Sequence, residues 1–121
     1  MEISIETNSF QLAQVFTISR GSRTQADVLT VTLSRGISKG RGECVPYARY
    51  GESMESVSVQ IQALPQKFDR QSLMQLLPAG AARNAVDCAL WDLEAKEADC
   101  SAWKLAGISL PKPCLLYTSD A

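Results

Sequence analysis

The chain has 121 residues and a formal net charge of −1, with 45% hydrophobic and 21% charged residues. These values are typical of one globular domain and give no reason to expect nucleic acid or an anionic membrane as a partner. The sequence contains no histidine, which excludes a Cys–His nucleophile or a Ser–His–Asp triad built from this chain alone.

The sequence also bears on cellular compartment. The first residues lack the basic start and apolar core of a signal peptide, and no apolar run reaches the roughly 18 residues of a membrane span. The four cysteines match no zinc or redox spacing. We therefore expect a cytoplasmic protein with reduced thiols, in which Cys88 is a small buried residue.

The first part of the chain has the alternating pattern of strands. Apolar residues alternate with polar ones over residues 1–12 and, more clearly, over residues 26–34. A turn at Arg35-Gly36 then precedes a third strand over residues 37–44. Because the connections are short, we expect the strands to form an antiparallel meander.

Four helical segments follow. Ser53 and Asp69 are predicted N-caps, Pro65 should distort the end of the first helix, and Gly107 should end the last. The predicted segments are residues 52–67, 69–77, 81–98 and 101–106. Strands followed by helices indicate the α+β class.

The helix predicted over residues 81–98 carries an apolar stripe made mostly of alanine. Small residues allow a neighbouring backbone to come close. Arg83 and Asp87 are one turn apart and are expected to pair. The stripe consists of Ala81, Ala82, Ala85, Val86, Ala89, Leu90 and Leu93.

The residue order of three segments resembles one enzyme family. Residues 82–96 resemble, position by position, the cap-domain helix of the mandelate racemase/muconate lactonizing branch of the enolase superfamily. The loops at residues 18–23 and 42–53 are similar to those of the dipeptide epimerases of the L-Ala-D/L-Glu type within that branch. The resemblance covers about residues 16–113.

This resemblance implies a fold and an activity. The fold is a three-stranded antiparallel meander followed by a helical bundle, which covers a (β/α)-barrel that is missing from this chain. The activity is epimerisation of dipeptides such as L-Ala-L-Glu in peptidoglycan peptide recycling. It uses lysine bases and Mg²⁺, whose ligands lie on barrel strands, so no catalytic or metal-binding residue is assigned in this chain.

Arg20 and Arg23 lie in the loop predicted between the first two strands. A guanidinium offers a bidentate fork to a carboxylate, although surface loops often carry arginine without a binding role. In dipeptide epimerases an arginine of this loop holds the glutamyl side-chain carboxylate. The resemblance therefore implies a substrate-binding role for one of the two, and Arg20 is favoured.

The second loop presents Tyr47, Arg49 and Tyr50 between Pro46 and Gly51. Two aromatic rings beside a cation can wall off a pocket, whereas a packed turn would leave the hydroxyls in solvent. Since the two cap loops of the family set substrate choice, the resemblance implies that Tyr47 and Tyr50 contact the substrate.

Several acidic residues are interpreted as structural. Glu43 is expected to anchor the second loop through backbone N–H groups. Asp87, Asp92 and Glu94 are expected to form salt links or to be solvated, because their helical spacing does not suit one metal ion. Lys96 belongs to the helix signature and is not the family's catalytic lysine.

The end of the chain departs from the family pattern. Residues 114–121 match the translation of one frame of a common transposon-end sequencing adapter. We therefore expect a capping domain over residues 1–113, a non-native tail over residues 114–121, and a chain that is a truncated piece of a longer enzyme.

Two other functions remain open. The cap could serve a racemase of an N-acylated glutamate or another amino-acid derivative. A small non-catalytic binding module is the alternative of a different class, with Arg20, Arg23, Tyr47 and Tyr50 as its ligand patch. The expected partners are a small dipeptide and the chain's own barrel, without nucleic acid or membrane, and a homo-oligomer of the full-length enzyme stays open.

Overall fold

The computed structural model describes residues 1–18 and 21–115. Within these ranges no helix is long and apolar enough to cross a membrane. A 3₁₀ turn over Ala48–Tyr50 separates the strands from the helices. The strands are β1 (Glu2–Ile18), β2 (Gly21–Arg35) and β3 (Ser38–Cys44), and the helices are α1 (Met54–Gln62), α2 (Arg70–Leu76), α3 (Ala81–Glu97) and α4 (Ala102–Leu105).

The three strands form one antiparallel sheet in the order β1-β2-β3, which confirms the predicted meander and the α+β layout. Leu29, Val31 and Leu33 of β2 are fully buried, while their polar neighbours face the wetter side. The turn after Arg35 is also confirmed: Arg35 pairs with Ser38 across Gly36 and Ile37, and Gly36 has a φ of 59°. The third strand therefore begins at Ser38, one residue later than predicted.

The first two strands are longer than the sequence pattern predicts. Their pairing shifts in register between Gln11 and Phe16 and then continues to Ile18 opposite Gly21. This hairpin extension comprises residues 13–18 of β1 and 21–25 of β2. Residues 13–17 and 21–25 are exposed, so they carry no burial-driven alternation. The extension is held by backbone pairing, which is why hydrophobic periodicity did not reveal it.

The helix starts follow the sequence closely, but one helix end does not. Ser53 caps α1 and Asp69 caps α2, each in a capping box with the serine three residues later. These two predictions are confirmed. The first helix was expected to reach residue 67, but it ends at Gln62, because a proline at position 65 disfavours helical backbone just before it.

The alanine stripe of α3 packs directly on β3. Ala85 and Ala89 are fully buried, and they lie opposite Gly42 and Gly40. A Cβ atom at Gly42 would collide with the backbone oxygen of Ala85, and one at Gly40 with that of Ala89. Small residues on both sides thus allow the helix and strand backbones to touch, as the stripe predicted.

Polar contacts fix α3 against its neighbours. Asp92 Oδ2 accepts from the Arg41 backbone N–H at 2.9 Å and from Lys96 Nζ at 2.9 Å. Glu94 pairs with Arg70 at 2.5 Å. The interpretation of Asp92 and Glu94 as structural salt links is therefore confirmed.

Two local expectations are wrong. Arg83 does not pair with Asp87 within the described part of the chain; its guanidinium instead points to the Leu77 carbonyl at 3.5 Å. Cys88 is exposed, and Cys44 of β3 is the buried cysteine. Burial, with Glu52 and Glu43 nearby, raises the pKa of the Cys44 thiol to about 11, so this thiol stays protonated and unreactive.

Candidate functional site

The loop between β3 and α1 is a tight turn that projects its tyrosines outward. The N–H groups of Tyr50 and Glu52 donate to the Tyr47 carbonyl at 3.0 and 3.1 Å, and the Gly51 N–H donates to the Ala48 carbonyl at 3.0 Å. Gly51 has a φ of 72°, a left-handed conformation that favours glycine. The backbone hydrogen bonds of the turn are thus made within the turn itself. The side chains of Tyr47 and Tyr50 are exposed.

The hairpin extension brings Arg23 to this loop. The strand β3 ends at Cys44, which pairs with Leu29, whereas β2 extends further and Arg23 pairs with Phe16 of β1. The chain after Cys44 therefore runs beside the extension. The Arg23 guanidinium lies 5.5 Å from the centroid of the Tyr47 ring. The other predicted arginine, Arg20, lies outside the described residues.

Two tyrosines and two arginines form one group, here called the arginine–tyrosine cluster: Arg23, Tyr47, Arg49 and Tyr50. The two rings meet edge to face, with centroids 6.2 Å apart and planes at 86°. The Arg49 guanidinium lies 5.8 Å from the Tyr50 ring centroid. The structure thus brings together three of the four predicted site residues.

A surface cavity of about 530 Å³ lies at the arginine–tyrosine cluster. Its walls come from the hairpin extension on one side and from the tight turn on the other. The lining residues are Phe16, Gly21, Ser22, Arg23, Tyr47, Ala48, Arg49 and Tyr50.

Two guanidinium groups, those of Arg23 and Arg49, line the cavity. In the part of the chain that the structure describes, neither Arg23 nor Arg49 makes a salt bridge with a carboxylate. Both guanidinium groups lie over aromatic rings, which orients them while leaving their N–H groups available. The arrangement can bind a small carboxylate next to an apolar wall.

The loop is anchored by Glu52, which the sequence did not single out. Glu52 Oε1 accepts from the Tyr47 backbone N–H at 3.2 Å, and Oε2 accepts from the Ala81 backbone N–H at 2.7 Å. The expectation that Glu43 has this role is wrong: Glu43 is exposed on β3, and the Tyr47 backbone N–H donates to Glu52 instead. The one local signal was a glutamate directly before the Ser53 cap.

The residues that the structure describes do not fit a metal ion. Within residues 1–18 and 21–115, no three His, Cys, Asp or Glu side chains converge on one position. Asp92 and Glu94 of α3 have the carboxylate groups that a metal ion could use, but they form salt bridges with Lys96 and Arg70, respectively. These residues therefore supply no metal site.

Comparison with known proteins places this domain in context. L-Ala-D/L-Glu epimerase of Escherichia coli strain K12 is 46% identical over 114 residues, which is 91% of this chain and 36% of that protein. N-acetyl-D-glutamate racemase of a Pseudoalteromonas species is 52% identical over 64 residues, 48% of this chain and 20% of that protein. The chain thus spans about a third or less of the length of these relatives.

Solved structures share the fold. An enolase family member from Agrobacterium tumefaciens, with homology to dipeptide epimerases and with bound sodium and L-Ala-L-Glu, is 50% identical with a TM-score of 0.83 over 88% of this chain and 34% of its own. A dipeptide epimerase from Methylococcus capsulatus, complexed with Mg and L-Arg-D-Lys, is 27% identical with a TM-score of 0.72 over the same shares of the two chains.

The family itself follows from a match over most of the chain. The meander followed by helices is the architecture of these structural neighbours' N-terminal domain, and the barrel is not among the residues described. Residues 1–107 match the family model described as mandelate racemase/muconate lactonizing enzyme, N-terminal domain. The chain therefore belongs to the mandelate racemase/muconate lactonizing enzyme family, whose N-terminal domain it contains.

Proposed function

We propose that this chain is the substrate-specificity cap of a Mg²⁺-dependent dipeptide epimerase of the L-Ala-D/L-Glu type. The observation that carries the proposal is the cavity at the arginine–tyrosine cluster, in a domain 46% identical to an L-Ala-D/L-Glu epimerase. In this proposal the parent enzyme acts on dipeptides from peptidoglycan in the cytoplasm, and the chain alone is inactive.

The cap contributes selectivity. One arginine of the first loop, either Arg23 or the Arg20 that the resemblance favours and that lies beyond the described residues, would bind the glutamyl side-chain carboxylate of the dipeptide. Tyr47 and Tyr50 would exclude water from that ion pair, which strengthens it. Because a guanidinium binds a carboxylate in a bidentate manner, it discriminates against dipeptides whose second side chain is uncharged.

The chemistry would come from elsewhere in the enzyme. Since the described residues do not fit a metal ion, we propose that the Mg²⁺ ligands and the lysine bases belong to the barrel. The role of the present chain is then to bind and orient the substrate and to close the active site over it.

A racemase of N-acylated glutamate is the second candidate. It is favoured by the 52% identity over 64 residues to N-acetyl-D-glutamate racemase. Its substrate also carries a glutamate side-chain carboxylate, so the same arginine would suit both enzymes. The two candidates differ in what occupies the position of the N-terminal alanine residue: an amino acid with a free amine, or an acyl group.

A domain exchange tests the proposal. Residues 1–113 of this chain would replace the corresponding N-terminal domain of the Escherichia coli epimerase, and α-proton exchange of L-Ala-L-Glu would be followed in deuterated water. We expect the chimera to exchange the α-proton well above the buffer background. The 121-residue chain alone should remain at background, since loop contacts cannot replace the bases and the stabilisation of the transition state.

The outcomes separate the candidates. A chimera that prefers N-acetyl-glutamate to L-Ala-L-Glu favours the racemase cap. A folded chimera without activity on either substrate, together with an isolated chain that binds a glutamyl ligand by calorimetry, favours the non-catalytic binding module. Exchange catalysed by the isolated chain would contradict the proposal that the bases lie outside it.

A further inference from the structure

The Glu52 carboxylate joins two distant parts of the domain. One oxygen accepts the N–H of Tyr47, at the start of the tight turn, at 3.2 Å, and the other accepts the N–H of Ala81, the first residue of α3, at 2.7 Å. The half-buried Glu52 side chain thus bridges the candidate site and the central helix.

The start of α3 needs such a partner. The first N–H groups of a helix have no partner within the helix, and Gly80 at the N-cap position has no side chain to accept from them. A carboxylate at a helix N-terminus is also favoured by the helix dipole. Glu52 therefore acts as the cap of α3 from 29 residues away along the chain.

The other end of this link is rigid. The helix α3 is buried along one face, with Ala85, Val86 and Leu93 fully inaccessible to solvent. Its backbone is in direct contact with β3 through the glycines described above. A loop tied to the first residue of α3 is consequently held at a fixed position relative to the sheet and to Arg23.

We propose that Glu52 is a positioning residue that holds the Tyr47–Tyr50 turn against α3 and so sets the distance between Tyr47 and Arg23. That this distance matters for a dipeptide rests on the proposed function; the positioning itself does not. Gly80 completes the device, because a Cβ atom there would lie 3.0 Å from Glu52 Oε2. Gly80 itself has extended backbone, with φ 160° and ψ −172°, which alanine can also adopt.

Two variants perturb the link in different ways. Glu52→Ala removes both acceptors, whereas Gly80→Ala keeps the carboxylate and requires it to shift by a few tenths of an ångström. Two controls are matched to them. Glu43→Gln changes a nearby exposed carboxylate, and Asp69→Ala removes the cap of α2, which lowers global stability without touching the link.

The measurement is amide hydrogen exchange by NMR in the 121-residue chain, together with the melting temperature. We expect exchange at the Tyr47 and Ala81 amides to be at least tenfold faster in Glu52→Ala, and faster at Ala81 in Gly80→Ala. In Glu43→Gln both amides should exchange as in the unchanged chain. Asp69→Ala should lower the melting temperature. It should leave unchanged the ratio of the exchange rates of the Tyr47 and Ala81 amides to those of the core amides.

A purely structural glutamate gives a different result. If Glu52→Ala accelerated all amides equally, as Asp69→Ala does, or if Tyr47 kept its protection, the positioning role would be overturned. For a variant that does not fold alone, the same substitution in the chimera is measured by kinetics. There the KM for L-Ala-L-Glu should rise at least threefold, with kcat changed less than twofold. A fall of kcat by threefold or more would contradict the proposal. Because the exchange experiment uses no substrate, it can succeed even where the proposed function fails.

Discussion

Arg23 lies over the face of Tyr47, with its guanidinium carbon 5.5 Å from the ring centroid. The two residues are brought together because β2 extends past the end of β3. At an exposed site such a cation–π contact is worth about 0.5–1 kcal/mol, which orients the guanidinium but does not neutralise it. The contact leaves a positive charge at the wall of a cavity of about 530 Å³.

Replacing Arg23 by methionine tests this charge. Arg23→Met keeps the bulk of the stem and removes the fork that, in the proposed function, pairs with the substrate carboxylate. Losing one partner of a sequestered charge pair costs about 2–5 kcal/mol. In the chimera, kcat/KM for L-Ala-L-Glu should therefore fall at least tenfold, while dipeptides with an uncharged second residue should lose much less.

Two further arginine variants interpret that result. Arg20→Met should be measured beside it, because Arg20 is the arginine that the sequence favours, and the larger loss identifies the residue that binds the carboxylate. Arg41→Met, an exposed arginine on β3, should have no effect. Equal losses for charged and uncharged dipeptides would show that Arg23 is only structural.

Gly42→Ala should strongly destabilise the domain. The added Cβ meets the backbone oxygen of Ala85, so strand and helix must separate rather than shift a side chain. Overpacking typically costs about 1–3 kcal/mol, and more where backbone is in the way. Urea unfolding should show this loss for Gly42→Ala and almost none for Arg41→Ala on the same strand. An unchanged midpoint for Gly42→Ala would contradict the close helix–strand contact.

Acid should weaken the domain through its paired carboxylates. Burial of Asp92 opposes ionisation, but hydrogen bonds from Lys96 and the Arg41 N–H outweigh it and lower the pKa of Asp92. The hydrogen bond from Arg35 lowers the pKa of Glu97, and that from Ser72 lowers the pKa of Asp69. A lowered folded-state pKa gives stability that is present above the unfolded-state values of about 4 and is lost as pH falls through the folded-state values.

The test is urea unfolding at about pH 6 and about pH 3, on either side of the unfolded-state pKa values of about 4. The free energy of unfolding should be smaller at the lower pH. Asp92→Asn should lower stability at the higher pH and reduce the difference between the two, because one titrating group has been removed. If Asp92→Asn left that difference unchanged, the Asp92 contacts would not contribute to acid sensitivity.

Removing residues 114–121 should leave the domain intact. Cys114 and Leu115 are exposed, without helix or strand, and a non-native tail would have no evolved packing partner. The melting temperature should change by less than about 2 °C, equivalent to a few tenths of a kcal/mol. Deleting from Ala102 onward, which also removes α4 with its half-buried Trp103, should cost clearly more. A large loss from the shorter deletion would mean that the tail belongs to the fold.

Local patterns in the sequence determined the elements of this domain. The N-caps at Ser53 and Asp69 were predicted from their residue types at the start of each helical pattern and are confirmed, and the alanine stripe of α3 indicated close backbone contact. These features depend on residues within one or two helical turns of each other. The sequence therefore contains the residues that interact, at the spacing that predicts the interaction. The two loops were identified by resemblance and by residue type.

The tertiary structure decided which residues meet. Glu52, not Glu43, anchors the tight turn. The sequence does not indicate this, because one of the hydrogen-bond donors to Glu52, the Ala81 N–H, is 29 residues away. Cys44, not Cys88, is buried, because Cys44 belongs to the core cluster between sheet and helices whereas Cys88 lies on an exposed part of α3. Arg23 reaches Tyr47 only because an exposed hairpin extension pairs through its backbone. Such contacts depend on chain geometry and on backbone hydrogen bonds that are common to all residue types, and therefore leave no pattern in the sequence.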